Sequence, residues 1–343
     1  MVFEDQQGLP ENCRQYKGNL HSHTVNSDGC LMPEQSVELF KAQGYSFLCL
    51  SEHDRYTDYR AQLNSDDFIL LPGLEATAVL LDNNGAGRLK VHHMHGILGT
   101  EAMQRQAKRR FKHMEALPPS VFQGIWDGSA VAQQLNDTLQ EYGCLVTYNH
   151  PVWSRVEPHE FINIKGVFAL EIYNYNTVNE SGTGADTTYW DLMLRSGKQV
   201  YAFASDDNHN EGLFDDCCGG WVSVTAMELS HEAIIQALQR GEYYSSAGPT
   251  IFSWGVKNDR VWIECSACER VILVAGGFVN AGCTVIAPTR DGLHRVEIPL
   301  RGDETYVRLE CVDYQGKTAW TNAIFLKKSD ARRIARYDHQ DSH

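Results

Sequence analysis

The sequence predicts an α/β barrel over residues 1–249, a small sandwich-like all-β domain over residues 250–328 and a polar tail over residues 329–343. Two observations carry this reading. From about Gly18 to Gly241, short apolar runs alternate with segments of helical periodicity, an order that implies parallel pairing of the strands. After Pro249 the helical periodicity stops, and extended runs follow one another between turn signals. The length of 343 residues also suits one large unit plus a smaller one.

In chain order, residues 46–51 (SFLCLS), 68–71 (FILL), 144–148 (CLVTY), 167–173 (VFALEIY), 199–204 (QVYAFA) and 221–226 (WVSVTA) read as buried strands, being short, apolar and rich in β-branched or aromatic residues. A further strand runs from Val91 to Leu98. Between them lie helices. Pro33 opens one where its missing N–H costs nothing, Val37 and Phe40 share its face, and Gly44 stops it. Val131, Leu135 and Leu139 form the stripe of the next, which ends at Gly143. Another spans about Asp186 to Ser196, and a last one carries Ile234, Ala237 and Leu238 before Gly241. Beyond Pro249 the runs VWIEC, RVILVAG, HRVEIPL, TYVRLECV and AIFL are separated by Asn258-Asp259, Asp291-Gly292 and Gln315-Gly316. The tail from Lys327 is expected to be a frayed helix or disordered.

Composition narrows the function. A hydrophobic content of 43% with 22% charged residues is that of a globular protein, and no segment has the apolar length of a membrane span. The start, MVFEDQQGLPENC, lacks the basic and then apolar regions of a signal peptide, which points to the cytoplasm. A net charge of −14 disfavours a nucleic acid polymer as partner, but bound divalent cations can still make an anion-attracting pocket for a small substrate. Ten cysteines are scattered along the chain. The sharpest pattern is Cys265-x-x-Cys268, with Cys283 and Cys311 further on; structural zinc would want a second close pair, and packing in strands is the plainer reading.

Metal-type side chains collect where the strands end. In parallel α/β barrels the loops after the strands form one face, so residues far apart in sequence converge there. The first strand ends in His21-Ser22-His23, whose alternate side chains can reach one ion, and Asp28 follows in a turn before Gly29. The second delivers Ser51-Glu52-His53-Asp54 and the third Gly73-Leu74-Glu75. The fourth carries His92, His93 and His95. Asn149-His150-Pro151, Glu171 with Asn174, and Asp206-Asp207-Asn208-His209 come next. One such histidine is weak evidence of a ligand, but strand after strand ending in an imidazole or carboxylate is not.

The run GNLHSHTVNSDG, followed by LSEHD, LPGLEAT, YNHP and FASDDNH, resembles the PHP (polymerase and histidinol phosphatase) family of metal-dependent phosphoesterases over about residues 17–250. ALEIYNYN, YWDLMLRSGKQVYAFASDDNH and LQRGEYYSSAGPTI look closer to its carbaryl-hydrolase-like (CehA/McbA-like) branch. The resemblance implies a distorted seven-stranded barrel holding two or three divalent cations. His21, His23 and Asp207 would bind one, with Glu75 bridging to a second that also takes His150 and a histidine of the fourth strand. Of His93 and His95, both on one strand face, His93 is preferred because it precedes Gly96 by three residues as in similar sequences. A third ion would use Asp28, His53 and His209; the family often has His where this chain has Asp28.

Mixed imidazole and carboxylate ligands suit Zn, Mn or Fe better than Ca or Mg. The expected chemistry is attack of a metal-activated water on a phosphorus or acyl centre, without a serine or cysteine nucleophile. Asp54, Glu52 and His92 are candidates for proton transfer or for orienting ligands, and Arg55 for a phosphate contact or a surface ion pair. A phosphoesterase acting on a small phosphorylated metabolite or nucleotide is the first expectation. A carboxylic or carbamate ester hydrolase with the same centre, or a catalytically silent binding module, are the alternatives. The sequence is silent on oligomeric state.

Overall fold

The protein is described here by a computed structural model covering residues 3–329. They divide into two compact units: Glu11–Ala247, and a second that joins the residues before Glu11 to those after Ala247. No helix among the described residues is long and apolar enough to cross a membrane.

The larger unit contains β1 (Arg14–Asn19), β2 (Phe47–Leu50), β3 (Ile69–Leu81), β4 (Arg88–Leu98), β5 (Cys144–Tyr148), β6 (Val167–Asn174), β7 (Tyr201–Ser205), β8 (Trp221–Ala226) and β9 (Tyr243–Ser246). Their hydrogen-bonded order is β9-β8-β1-β2-β3-β4-β5-β6-β7. The pairs β1/β2, β2/β3, β5/β6 and β6/β7 are parallel, as alternation with helices predicts. The expectation of parallel pairing throughout fails at β4, which runs antiparallel to both β3 and β5. A short connection, residues 82–87, turns β3 back on itself as a hairpin, where a parallel crossover would need a dozen residues or more. β8 is likewise antiparallel to β1 and β9.

The expected closed seven-stranded barrel also needs correction. The sheet is mixed, with ten strands of this unit among its described residues, the tenth being Ser120–Gln123 parallel to β3, and no ladder joins β7 to β1 among them. Beyond the strand ends, Ser22 and Asn208 meet in an isolated parallel bridge. There Asp207 N–H donates to His21 O at 3.0 Å and His23 N–H to Asn208 O at 3.1 Å.

Helices cover the sheet where their caps and stripes predict. α1 (Pro33–Ala42) buries Val37 and Phe40. α2 (Gly128–Glu141) is capped by the Asp127 side chain on Ala130 N–H, buries Val131, Leu135 and Leu139, and is stopped by Gly143 at φ 75°. α3 (Thr187–Arg195) buries Trp190, whose Nε1–H donates to Val200 O at 2.9 Å. α4 (His231–Arg240) starts on Ser230 and ends at Gly241, φ 71°. Leu20, Phe47, Leu71, Ile97, Phe203 and Val222 belong to a core cluster buried against α4.

The second unit is built of strands alone among its described residues, including β10 (Ile251–Lys257), β11 (Arg260–Cys268), β12 (Arg270–Ala275), β13 (Gly282–Ile286), β14 (Leu293–Pro299) and β15 (Tyr306–Val312). Asn258 and Asp259 both have positive φ, 51° and 56°, in the two-residue turn that pairs Lys257 with Arg260. Gln6–Gln7 pairs with β10, so the first residues go with this unit and not, as expected, with the barrel. The tail expected from residue 329 lies, from residue 330 on, outside the described residues.

Candidate metal centre

The parallel strands aim their C-terminal ends to one side, and the chain leaving them supplies His21 and His23 after β1, His53 after β2, His150 after β5 and Asp207 with His209 after β7. Glu75 lies within β3, and the antiparallel β4 brings His93 and His95 opposite Thr77 and Glu75. The local backbone is strained to do this. Asp54, His150 and Asp207 all have positive φ, at 52°, 24° and 57°, a region that non-glycine residues occupy mainly when the surrounding structure forces it.

Glu75 sits at the middle, fully buried. Its Oε2 faces His21 Nε2 at 3.2 Å, His23 Nε2 at 3.4 Å and His53 Nδ1 at 3.2 Å. Its Oε1 faces His150 Nε2 at 3.3 Å and His93 Nδ1 at 3.4 Å. Asp207 Oδ1 closes the first side at 2.9 Å from His21 Nε2 and 3.0 Å from His23 Nε2, and its Oδ2 lies 3.8 Å from His150 Nε2. Asp28, more exposed, faces His209 Nε2 at 3.4 Å, His53 Nε2 at 3.5 Å and His23 Nδ1 at 3.9 Å. Overlapping sets of donors result, among them His21, His23, Glu75 and Asp207; His53, Glu75 and His93; His23, Asp28, His53 and His209; and His21, His150 and Glu171.

The donor atoms fit cations. His21 Nδ1 lies 3.0 Å from Glu171 Oε1, a carboxylate that can only accept, so Nδ1 carries the proton and Nε2 presents a lone pair to the centre. The carbonyl of Asp207 does the same for His209, accepting from Nδ1 at 2.9 Å and leaving Nε2 toward Asp28. His21 Nε2, His23 Nε2, Glu75 Oε2, His93 Nδ1 and Asp207 Oδ1 are all buried without a hydrogen-bond partner. Lone pairs converging on a buried point repel, and unpaired buried polar atoms are costly, so the arrangement favours positive charge among them. Without a cation the chain has to use protons: burial opposes charge on His23, yet the adjacent Asp207 and Glu75 carboxylates raise it to about 10. Burial likewise works against ionised Glu75, but His21 and His93 hold it well below the carboxylate range. His53 goes the other way, pushed down to about 4 by burial and by His23.

The ligand-bearing residues are held from behind. Glu171, fully buried, accepts from His21, from the N–H of His150 at 3.0 Å, from Asn174 Nδ2 at 3.1 Å and from the hydroxyl of Ser205. Asn174 Nδ2 also reaches Asp207 Oδ2 at 3.0 Å, and Asn149 Nδ2 reaches Glu75 Oε1 at 2.7 Å. Glu52 accepts from Thr24 N–H at 3.0 Å and Ser27 Oγ at 2.6 Å, fixing the loop that carries Asp28.

Among the solved structures that resemble this chain are two described as metal-dependent phosphoesterases. One is a two-domain protein from Bacteroides vulgatus described as containing a predicted PHP-like metal-dependent phosphoesterase; it is 13% identical, with a TM-score of 0.45 over 94% of this chain and 98% of that one. The other is described as a putative metal-dependent phosphoesterase from Bifidobacterium adolescentis, 14% identical, with a TM-score of 0.39 over 57% of this chain and 88% of that one. No protein-family model and no curated protein matches the chain. At such identities and scores the chemistry has to be read from the site itself.

A cavity of about 270 Å³ opens over the centre, lined by Asp28, His53, His93, His150, Asp207 and His209, and further by Arg88, Trp153, Asn176, Thr177 and the 211–216 segment. All nine expected ligands, His21, His23, Asp28, His53, Glu75, His93, His150, Asp207 and His209, fall in the donor sets or face Glu75 directly. Of the alternatives on β4, His93 lines the cavity, while His95 lies deeper, its ring 4.1 Å from that of His21 and 3.9 Å from Glu75 Oε1. His92 points to the other face, bonded to Tyr148 and stacked 5.0 Å from Trp126.

Asp54, a candidate for proton transfer or for orienting a ligand, and Arg55, a candidate for a phosphate contact or a surface ion pair, are not among the residues lining the cavity. The Oδ1 of Asp54 accepts from Thr77 N–H at 2.8 Å, its own N–H donates to Glu75 O at 2.7 Å, and burial pushes its carboxyl up to about 6. It props β3 beside Glu75. Asp54 and Arg55 both follow His53 in sequence, and Asp54 stands at a left-handed turn with φ 52°. Arg88 and Trp153 lie outside the ligand motifs, and nothing in their sequence context marked them.

Proposed function

We propose that the chain is a metal-dependent hydrolase, most simply a phosphoesterase for a small anionic substrate. The observation that carries the reading is Glu75, whose two carboxylate oxygens face separate histidine sets. Such a carboxylate suits a pair of neighbouring cations, and histidine with carboxylate donors favours Zn, Mn or Fe. Cations bound there would supply an activated water and neutralise charge developing on the substrate.

The chain's own residues would do the rest. Glu171 and the Asp207 carbonyl hold His21 and His209 in the tautomer that turns Nε2 inward. Arg88, on the cavity wall, places a guanidinium near the mouth, where it would meet an anionic group of the substrate. Trp153 is fixed by its indole N–H on Glu180 Oε2 at 2.9 Å and would give a flat apolar wall. About 270 Å³ suits a metabolite or mononucleotide and not a polymer, in keeping with the net charge of −14.

The second reading, a carboxylic or carbamate ester hydrolase, is favoured by the apolar rim of Trp153, Leu213 and Phe214, which would accept an aryl leaving group. Turnover of p-nitrophenyl phosphate, bis-p-nitrophenyl phosphate and p-nitrophenyl acetate with Mn or Zn added tests both. Phosphate-ester turnover supports the first reading and acetate turnover alone the second. Turnover of none of the three would overturn both in favour of a binding module.

A further inference from the structure

Cys265, Cys268 and Cys311 form a second cluster, within the strand-built unit. Their sulfurs all lie within 4.8 Å of one another, and the residues are 1%, 0% and 0% exposed. Two of the three come from one strand, three residues apart, where a regular pleat would send them to opposite faces. The strand breaks its alternation to avoid this: Val261, Ile263 and Cys265 are buried, then Ser266 is half-buried, Ala267 exposed and Cys268 buried again. The register of β11 against β14 shifts between Glu264 and Cys268, a bulge that re-aims the second thiol to the face of the first. Cys311 arrives from β15, paired with Val271 of β12 and with Ala319.

We propose that this triangle binds one thiophilic cation, zinc(II) in the first instance, through three thiolates. Metal–sulfur bonds of about 2.3 Å place ligand sulfurs roughly 3.8–4.0 Å apart, so the triangle needs to contract little to close on an ion. The requirement for a second close pair, which the sequence left unmet because Cys311 is remote along the chain, is met in part by β15. His294 follows Leu293, the residue registered with Cys268; it stands outside the triangle, leaving a fourth position for it or for water. Binding as thiolates releases one proton per thiol to solvent, three in all, and transfers no electrons. A disulfide between two of the three is the competing fate of such neighbours.

The test uses the full chain, reduced and freed of metal, then titrated with cobalt(II). Thiolate-to-cobalt charge transfer in the near ultraviolet is expected at one equivalent, a signal that the histidine and carboxylate centre cannot give. Cys265→Ser and Cys268→Ser should each abolish it, while Cys144→Ala, and Cys217→Ser at the neighbouring Cys217–Cys218 pair, should leave it unchanged. Independently of any variant, a mercurial reagent added to zinc-loaded protein should release one equivalent of zinc to a chromogenic chelator. Absence of the band together with no mercurial-released zinc would overturn the proposal, as would a Cys265–Cys268 or Cys268–Cys311 disulfide in protein that takes up no zinc on reduction.

Discussion

The main-chain N–H of Asp207 donates to the carbonyl oxygen of His21 at 3.0 Å, and the side chains of the same two residues meet at 2.9 Å between Oδ1 and Nε2. Backbone and side chain therefore fix this contact twice. A ligand pair held by the main chain is preorganised, and the cost of ordering it is met by folding and not by ion capture.

Glu75→Gln should lower both metal content and hydrolysis. The amide keeps the shape but removes the charge that two histidine sets share, so a loss of about 100-fold or more in rate is expected. Elemental analysis beside a rate assay checks it, and full metal with full rate would show that Glu75 does not join two ions.

Glu171→Gln separates orientation from ligation. The variant weakens the hold on the His21 Nδ1–H and on the His150 N–H, and metal affinity should fall about 10–100-fold. Excess metal should restore most of the rate. A variant that stays inactive at saturating metal would mean that Glu171 acts directly in the reaction.

Arg88→Ala should raise KM for a phosphate monoester by roughly tenfold, leave kcat nearly unchanged, and not affect a neutral acetate ester. This follows from a cation on the cavity wall that meets charge on the substrate and not the reacting bond. Equal losses on charged and neutral substrates would refute it.

His92 predicts a pH dependence of stability apart from the metal centre. Burial lowers it from 6.5 to about 4, against the pull of Glu160. The unfolded chain therefore binds a proton that the folded chain refuses, and stability is lost as pH falls from about 6.5 through 4, with no contribution to the slope above about 7. In metal-free protein, urea midpoints of His92→Phe should vary less across that window than those of the parent. Identical slopes would assign the loss to other groups.

The convergence of these side chains was legible because they sit in local motifs at strand ends, where alternation and turn residues fix which way a side chain points. His21-Ser22-His23 and Asp207-Asn208-His209 are of this kind. What was not legible depended on direction and register. The reversal of β4 has no local marker beyond a short Gly-rich connection, and Arg88 reaches the cavity only because that strand starts at the mouth. Asp54 is bonded into β3 beside Glu75 at a positive φ, and neither it nor Arg55 lines the cavity, a matter their place after His53 does not announce. Cys311 is distant from Cys265 and Cys268 in sequence, so only the pairing of β12 with β15 brings it near them.

The Ser22–Asn208 bridge has a consequence for the order of assembly. Asn19 and Asp206, just behind it, are hydrogen-bonded across 187 positions, so the two ends of the ligand set meet only after everything between them has a place. Contacts of such long separation form late, since the chain entropy of closing the loop must first be overcome. Ion uptake by this protein would thus be a clock for the last event of its maturation: a nascent chain halted before Asp206 would leave the ribosome with its early histidines already translated and no grip on metal.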